Sequence, residues 1–537
     1  MKKLLIFLAF LLLISTSAWG TIYTVAKTGA DAASCVTDPP TTDCLTIQYA
    51  INGINLEPGD ILYVRAGTYT EHIDTESDDA GDVTGNVTLM GYPGETAIID
   101  ADDSSAQVVR IDVQYFTIKD ITIRNSSGYT GATVHTGLRL RASNTTVVNV
   151  TVLDGFDSYG INMDKDIAAM SNVEIENSTV VGSPLVTDDG AAIGMFLGTT
   201  NTHTNISVHG CPVTGPGVIS QGYGIRAQVA SGGSITGLNV YNNTVTLFDR
   251  GGIDIGGAIT GCLVYNNQST INGANGIHIG GSAGGDTVCS VYDNTVVYNG
   301  IDFTQDGSGI LLDGYSDGSD AFRNYIIGSG ESGIKASSDN NHDIYNNIVI
   351  DSAERGVWVR KSDPFTCTGD LIANNTVLHD GDGPCISFEN TCTGSLTNNI
   401  CIDSGSAATG IYIHSGATVT ETYNRAYGFD VNFADEGGAI SPGTGSLATN
   451  PNLNSNYRPK FGSDVIDAGA ELPFMSNETQ RRCGNGPDIG RYDYCTSGIG
   501  PMKIILSGIS AKTWTYSGDQ LFYGADPVTY GSEKVYY

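Results

Sequence analysis

Several short phrases in the chain carry side chains able to take, give or hold a proton beside a charged partner. Gly-Ile-Lys at 333–335 presents Lys335. If Leu311 and Trp358 flank it, their bulk would desolvate the amine, lower its pKa and make it a candidate base. Arg226 and Arg360 are cations able to meet carboxylates. Asp254, His278, Trp358, Glu389, Tyr412 and His414 add acids, imidazoles and rings suited to holding a polar ligand. The phrase LLDGYSDGSD offers Asp313, Asp317 and Asp320 as hard oxygen ligands for Ca2+, although aspartate in a glycine-rich loop also makes plain turns. DDGAAI offers the adjacent pair Asp188 and Asp189. An inverting hydrolase needs two separated carboxyls with water between them, which that pair alone does not supply.

These residues lie far apart in sequence, so a repeat must gather them. The phrase Val-Tyr-Asn-Asn-Thr at 240–244 returns in variant form, its second asparagine falling at Asn243, Asn267, Asn294, Asn324, Asn347, Asn375, Asn399 and Asn424. A second phrase, glycine followed by alternating apolar and polar residues, starts at Gly137, Gly160, Gly190, Gly224, Gly252, Gly276, Gly309, Gly333, Gly356, Pro384 (in place of glycine) and Gly410. The period is about 27 residues, too short for a strand–helix–strand unit, and Gly and Asn interrupt every would-be helix. The pattern predicts a parallel β-solenoid whose turns stack ~4.8 Å apart. Asparagine suits its corners because it tolerates the left-handed conformation and can bond the same amide one turn on.

Period two then places side chains. With Ile253 and Ile255 inward, Asp254 points out, and the same register gives an outward column Arg139, Asn162, Ala192, Arg226, Asp254, His278, Leu311, Lys335, Trp358, Ser387, Tyr412. A parallel column holds Arg141, Asp164, Gly194, Gln228, Gly256, Gly280, Asp313, Ser337, Arg360, Glu389 and His414. The same groups could instead be ordinary ion pairs between turns, Arg226 with Asp254 and Lys335 with Asp313.

The chain has 58 acidic and 26 basic residues, a formal net charge of −32. That charge disfavours nucleic acid and anionic lipid as partners, and makes a polyanionic ligand hard to approach without bridging cations. Lys2 and Lys3, the apolar run Leu4–Ile14 and small residues to Gly20 read as a signal peptide, with no later membrane span. The protein is expected to be secreted, in the extracellular space or at a cell surface. Eleven cysteines fit that route, with Cys35–Cys44 and Cys483–Cys495 favoured by short loops, and Cys262/Cys289 and Cys367/Cys392 at matching repeat positions. The odd count leaves at least one thiol.

With its asparagine corner, the entry segment LTIQYAINGINLEPGDILYVRAGTYTE and the closing segment Asn450–Tyr494, the chain resembles a right-handed parallel β-helix of the pectate-lyase-like superfamily. The resemblance implies an all-β, right-handed parallel β-helix (solenoid) of about 11–13 turns, with an N-terminal helical cap and a C-terminal capping segment. The expected divisions are 1–20 signal peptide, 21–125 cap and first turns, 126–430 helix core, 431–495 closing segment and 496–537 a Tyr-rich tail. In that superfamily the columned sheet lines the substrate groove, which implies a polysaccharide or cell-surface glycan as partner. Gly333–Lys335 is similar to the base phrase of family-nine pectate lyases, implying a calcium-assisted lyase on uronate polymers with Lys335 as base. Their acidic calcium phrase is met only at its end by Gly252–Ile255, since Arg250 and Gly251 stand where the acids belong. Polygalacturonases are matched less well, because Tyr223 stands at their histidine and Tyr159 at an earlier acid. A non-catalytic adhesin or tailspike-like glycan-binding rod is the remaining expectation, since the fold hosts both.

Overall fold

Each repeat alternates β-branched residues with polar ones and breaks at asparagine or glycine, so it folds as three short strands whose apolar sides face one interior. In the computed structural model these strands form three parallel sheets of 15, 15 and 14 strands, each pairing with its counterpart one repeat away. A short antiparallel strand at Gly438–Ala439 adds to the second of them. The structure describes residues 20–491 except 103–106, 126–134, 154–157, 164–168, 183–189, 198–200, 217–221, 230–231, 282–284, 301–306, 338–339, 362–365, 390, 406–408 and 473–486; beyond 491 it describes the backbone of five short strands. The signal-peptide reading, the Cys483–Cys495 bridge, Asp164, Asp188 and Asp189 therefore lie outside the described residues. By contact the chain divides into two units, Met1–Tyr494 and Cys495–Tyr537, the second holding antiparallel strands such as Trp514–Ser517 with Gln520–Tyr523.

The parallel β-helix expected from the repeat is the fold observed. One rung runs Ile259–Tyr265 in the first sheet, Gln268–Thr270 in the third and Asn275–Ile279 in the second. Continuous apolar columns such as Ile225, Ile253, Ile277, Ile310 and Ile334, all fully buried, fill the centre. The helix Ile47–Gly53 places Ile47, Ala50 and Ile51 in the same core, with the Thr46 hydroxyl accepting from the Tyr49 amide. Near the other end of the coil, Val465 and Ile489 pack with Ile400 in a smaller cluster.

The asparagine phrase divides its work between two residues. The left-handed corner falls on the first of the pair, with φ of 56° at Asn242, 54° at Asn266 and 59° at Asn346. The second forms the ladder. Asn243, Asn267, Asn294 and Asn324 each donate an amide proton to the next side-chain oxygen at 3.0 Å, and Asn267 also donates to the Val240 carbonyl at 2.9 Å. All are buried, so the ladder satisfies polar groups that would otherwise be orphaned at a corner. The glycine phrase has a steric cause: a Cβ on Gly276 would lie 2.4 Å from Val296 Cγ1 and 2.7 Å from the Gly309 carbonyl.

Among the described residues there are four disulfides, Cys35–Cys44, Cys262–Cys289, Cys367–Cys392 and Cys385–Cys401, while Cys211 is a buried free thiol. The first follows the sequence expectation, the next two are bridges where matching repeat positions fitted either a bridge or stacked core residues, and Cys385–Cys401 was not foreseen. Among the described residues no helix is long and apolar enough to cross a membrane.

Candidate active site

The second sheet carries the outward column in the expected register over most of its length. Arg226 pairs with Asp254, Asp254 with His278, His278 with Leu311, Leu311 with Lys335, Lys335 with Trp358, and Ser387 with Tyr412. One rung differs from the expectation. Gly194, not Ala192, stands between Asn162 and Arg226, and Phe196 faces Gln228, a shift of two residues that preserves the period. Ala192 is fully buried. Gly194 is needed there because a Cβ would sit 2.4 Å from the Tyr159 ring.

Asp254 is the most heavily engaged group on this wall. It points away from the interior yet is only 2% exposed, because its neighbours close over it. His278 Nδ1 lies 2.6 Å from its Oδ1, while Arg226 Nε and Gln228 Nε2 donate to Oδ2 at 2.9 and 3.0 Å. Burial alone would push the Asp254 carboxyl up, but the His278 hydrogen bond, the His278 and Arg226 charges and the Gln228 amide outweigh it and hold the group below the usual carboxylate range. Two glycines make the room: a Cβ at Gly256 would lie 2.7 Å from Gln228 Nε2, and one at Gly280 would lie 2.6 Å from His278 Nε2. The remaining imidazole nitrogen lies toward Asp313, 4.0 Å away, beside a cavity of about 230 Å³ lined by Tyr223, Arg250, Asn275 and Leu311 as well. Arg226 stacks on the Tyr223 ring at 4.4 Å, and Arg250 hydrogen-bonds the Tyr223 side chain. Burial, and the Asp254 charge after it, push the Tyr223 phenol up, so it stays protonated.

Further along the same wall Lys335 is 2% exposed, and its ammonium donates to both Glu331 oxygens, at 2.8 and 3.0 Å. Among the described residues it thus pairs with Glu331, where the sequence suggested Asp313. Trp358 is also covered, at 7% exposure, with Arg355 3.9 Å from the ring centroid and Lys335 and Arg360 each at 4.8 Å. Guanidinium and ammonium groups, not open surface, occupy the neighbourhood of its ring. Beyond it Glu389, Tyr412 and His414 do come together, around a cavity of about 440 Å³ that Arg355 and Ser387 complete. His414 Nε2 there meets Glu436 at 2.6 Å.

The three acids proposed for calcium are spread out. Asp313 faces His278, the Asp317 carboxylate accepts from the Asn340 amide at 2.6 Å, and Asp320 belongs to the first sheet, opposite Asp343. Burial, then the Asp343 charge, push Asp320 up to about 6. Among the described residues the three do not form one ligand set.

Sequence reasoning missed Tyr223, Arg250, Glu331 and Arg355. Tyr223 and Arg355 stand three residues before the first column, at a position where Tyr159, Ala191, Tyr223, Gly251 and Asn275 are in register. An odd offset of three falls outside the period-two rule, so alternation alone could not have found it. No protein-family model matches the chain, and no curated protein matches it. It is similar to solved structures of pectate lyase Pel9A, at 14% identity over 89% of this chain and 98% of that one with a TM-score of 0.32. It is also similar to the A-module of mannuronan C-5 epimerase AlgE6 from Azotobacter vinelandii, at 15% identity over 73% and 91% with a TM-score of 0.44. A third is GH136 lacto-N-biosidase from Eubacterium ramulus, at 13% identity over 80% and 68% with a TM-score of 0.41.

Proposed function

We propose that the protein is an exported enzyme acting on acidic polysaccharide, with His278 and Asp254 as its acid–base centre and β-elimination as its reaction. The observation that carries this reading is the 2.6 Å contact between His278 Nδ1 and a buried, ionised Asp254. A carboxylate on Nδ1 orients the imidazole and steadies the imidazolium that forms when it takes a proton, and the His278 side chain lines the cavity. For so acidic a chain this one sheet face is rich in cations able to meet a substrate carboxylate: Arg110, Arg139, Arg141, Arg226, Arg250, Lys335, Arg355 and Arg360 stand on or beside it, with Arg110, Arg141, Arg226, Lys335 and Arg355 also paired to acids there. The four disulfides fit an oxidising compartment.

In the elimination His278 takes the proton on the carbon next to the uronate carboxylate, while the Arg226 and Arg250 charges lower the energy of the developing anion. The bond from the ring to the leaving sugar oxygen breaks, that oxygen takes the Tyr223 proton, and a carbon–carbon double bond remains in the product. His278 is the better base than Lys335, whose ammonium is held by Glu331. No step is routed through calcium, because Asp313, Asp317 and Asp320 do not converge. The test is absorbance of the unsaturated product over a panel of polyuronates, with Ca2+ and with EDTA. Product formed by the native chain and lost in His278→Ala supports the reading. Glycan binding without turnover across the panel would replace it with the non-catalytic rod.

A further inference from the structure

Away from this wall, on the outer face of the first sheet, six rings stack in register: His209, Tyr241, Tyr265, Tyr292, Phe322 and Tyr345. Neighbouring centroids are 4.5–5.0 Å apart with interplanar angles of 9° or less. Five members are tyrosine or phenylalanine, and the ring changes to imidazole at the rung next to two carboxylates. Glu176 pairs directly with His209 across the strands, and Glu174 lies two residues along on the same face. His209 Nε2 is 3.0 Å from Glu174 Oε1 and 3.8 Å from Glu176 Oε2.

We propose that Glu174, Glu176 and His209 bind a divalent transition-metal cation of the zinc class. Among the described residues this is the one place where three such donors, each giving one atom, gather within 4.8 Å of one another. Zinc–nitrogen and zinc–oxygen bonds of about 2.0–2.2 Å put neighbouring ligand atoms roughly 3–3.5 Å apart, close to the separations seen. One imidazole nitrogen with two carboxylates suits zinc, cobalt or manganese better than calcium, which prefers an all-oxygen shell. The stack on Tyr241, 4.5 Å away and 9° from parallel, fixes the plane of the imidazole and with it the direction of Nε2. The side chains are 45% (Glu174), 30% (Glu176) and 14% (His209) exposed, so an ion can enter and keep water in its open positions. The ion would tie adjacent rungs of the first sheet together.

The experiment is calorimetric titration of ZnCl2 into the full chain after EDTA treatment and dialysis, with Co2+ substitution followed by visible absorption. Wild type is expected to bind one equivalent that His209→Phe and Glu176→Gln weaken by at least about tenfold, with Co2+ bands that disappear in both variants. His209→Phe keeps a ring against Tyr241, and Glu174→Gln serves as a third test should either variant misfold. Zinc uptake equal in wild type and variants would overturn the proposal. So would an ion pair only, seen as no uptake by wild type.

Discussion

Two histidine–aspartate pairs in this chain have nearly the same local geometry and opposite access. On the second sheet His278 Nδ1 meets Asp254 at 2.6 Å, and 27% of the imidazole is exposed beside a cavity. Where the chain enters the first sheet, His342 Nδ1 meets Asp370 at 3.1 Å, and Ser316 Oγ lies 3.0 Å from His342 Nε2. That Ser316–His342–Asp370 order is the one a nucleophile relay uses, yet both side chains of the ion pair are 0% exposed. No substrate can reach them, and Asp370 also accepts from the His342 backbone amide at 3.0 Å. The sealed pair is a corner brace. What separates a reactive pair from a structural one here is access to the ring, since His278 lines a cavity with 27% of its side chain exposed, whereas His342 is sealed with Ser316 Oγ against its second nitrogen.

The contrast can be broken from either side. The largest effect is expected in the sealed pair. Asp370→Ala removes the acceptor of a buried ring and a buried amide, and should destabilise the fold by roughly 3 kcal/mol or more in denaturant titration. Turnover per folded molecule should be unchanged. In the open pair His278→Ala should lower kcat at least about a hundredfold, close to 3 kcal/mol in barrier, with a much smaller loss of stability. An intermediate case is the corner ladder, where Asn294→Ala leaves buried partners unsatisfied and should cost about 1–3 kcal/mol of stability without touching kcat.

The smallest effect is a pH dependence. Burial pushes the Asp79 carboxyl up to about 7, and Asp320 reaches about 6, from an ordinary value of 3.8. A carboxyl raised in the folded state binds its proton more tightly there. Its contribution is complete below the unfolded value and is lost as pH rises through about 6 to 7. The difference in Tm between the native chain and Asp79→Asn should therefore move against the native chain as pH rises from about 4 to about 8, while His203 and His379, lowered by burial and acting in the opposite sense, contribute equally to both. Asp254 has the opposite sign, since its lowered pKa gives stability above the unfolded value that is lost as pH falls through the folded one.

The winding was legible because every rung must fill the same interior and turn the same corner, which writes Asn and Gly at a fixed period. The outward column was legible for the same reason. A shift of two residues leaves the period untouched, so the rung carrying Ala192 and Gly194 could not be placed by alternation alone. Cover was not legible either. Glu331, which grips Lys335, precedes the strand's glycine, and Arg355 reaches Trp358 from the start of its own strand. Neither contact follows from a column. Cys385–Cys401 escaped because it joins a strand of the second sheet to one of the third, whereas the cysteines noted at matching repeat positions join neighbouring rungs.

The most direct measurement of the central claim is the initial rate of unsaturated-product formation from a polyuronate by the native chain, His278→Ala and His342→Ala, each assayed at a temperature where it is folded. The account predicts product from the native chain and from His342→Ala at similar rates, and almost none from His278→Ala. Full activity in His278→Ala, with or without loss in His342→Ala, would contradict it.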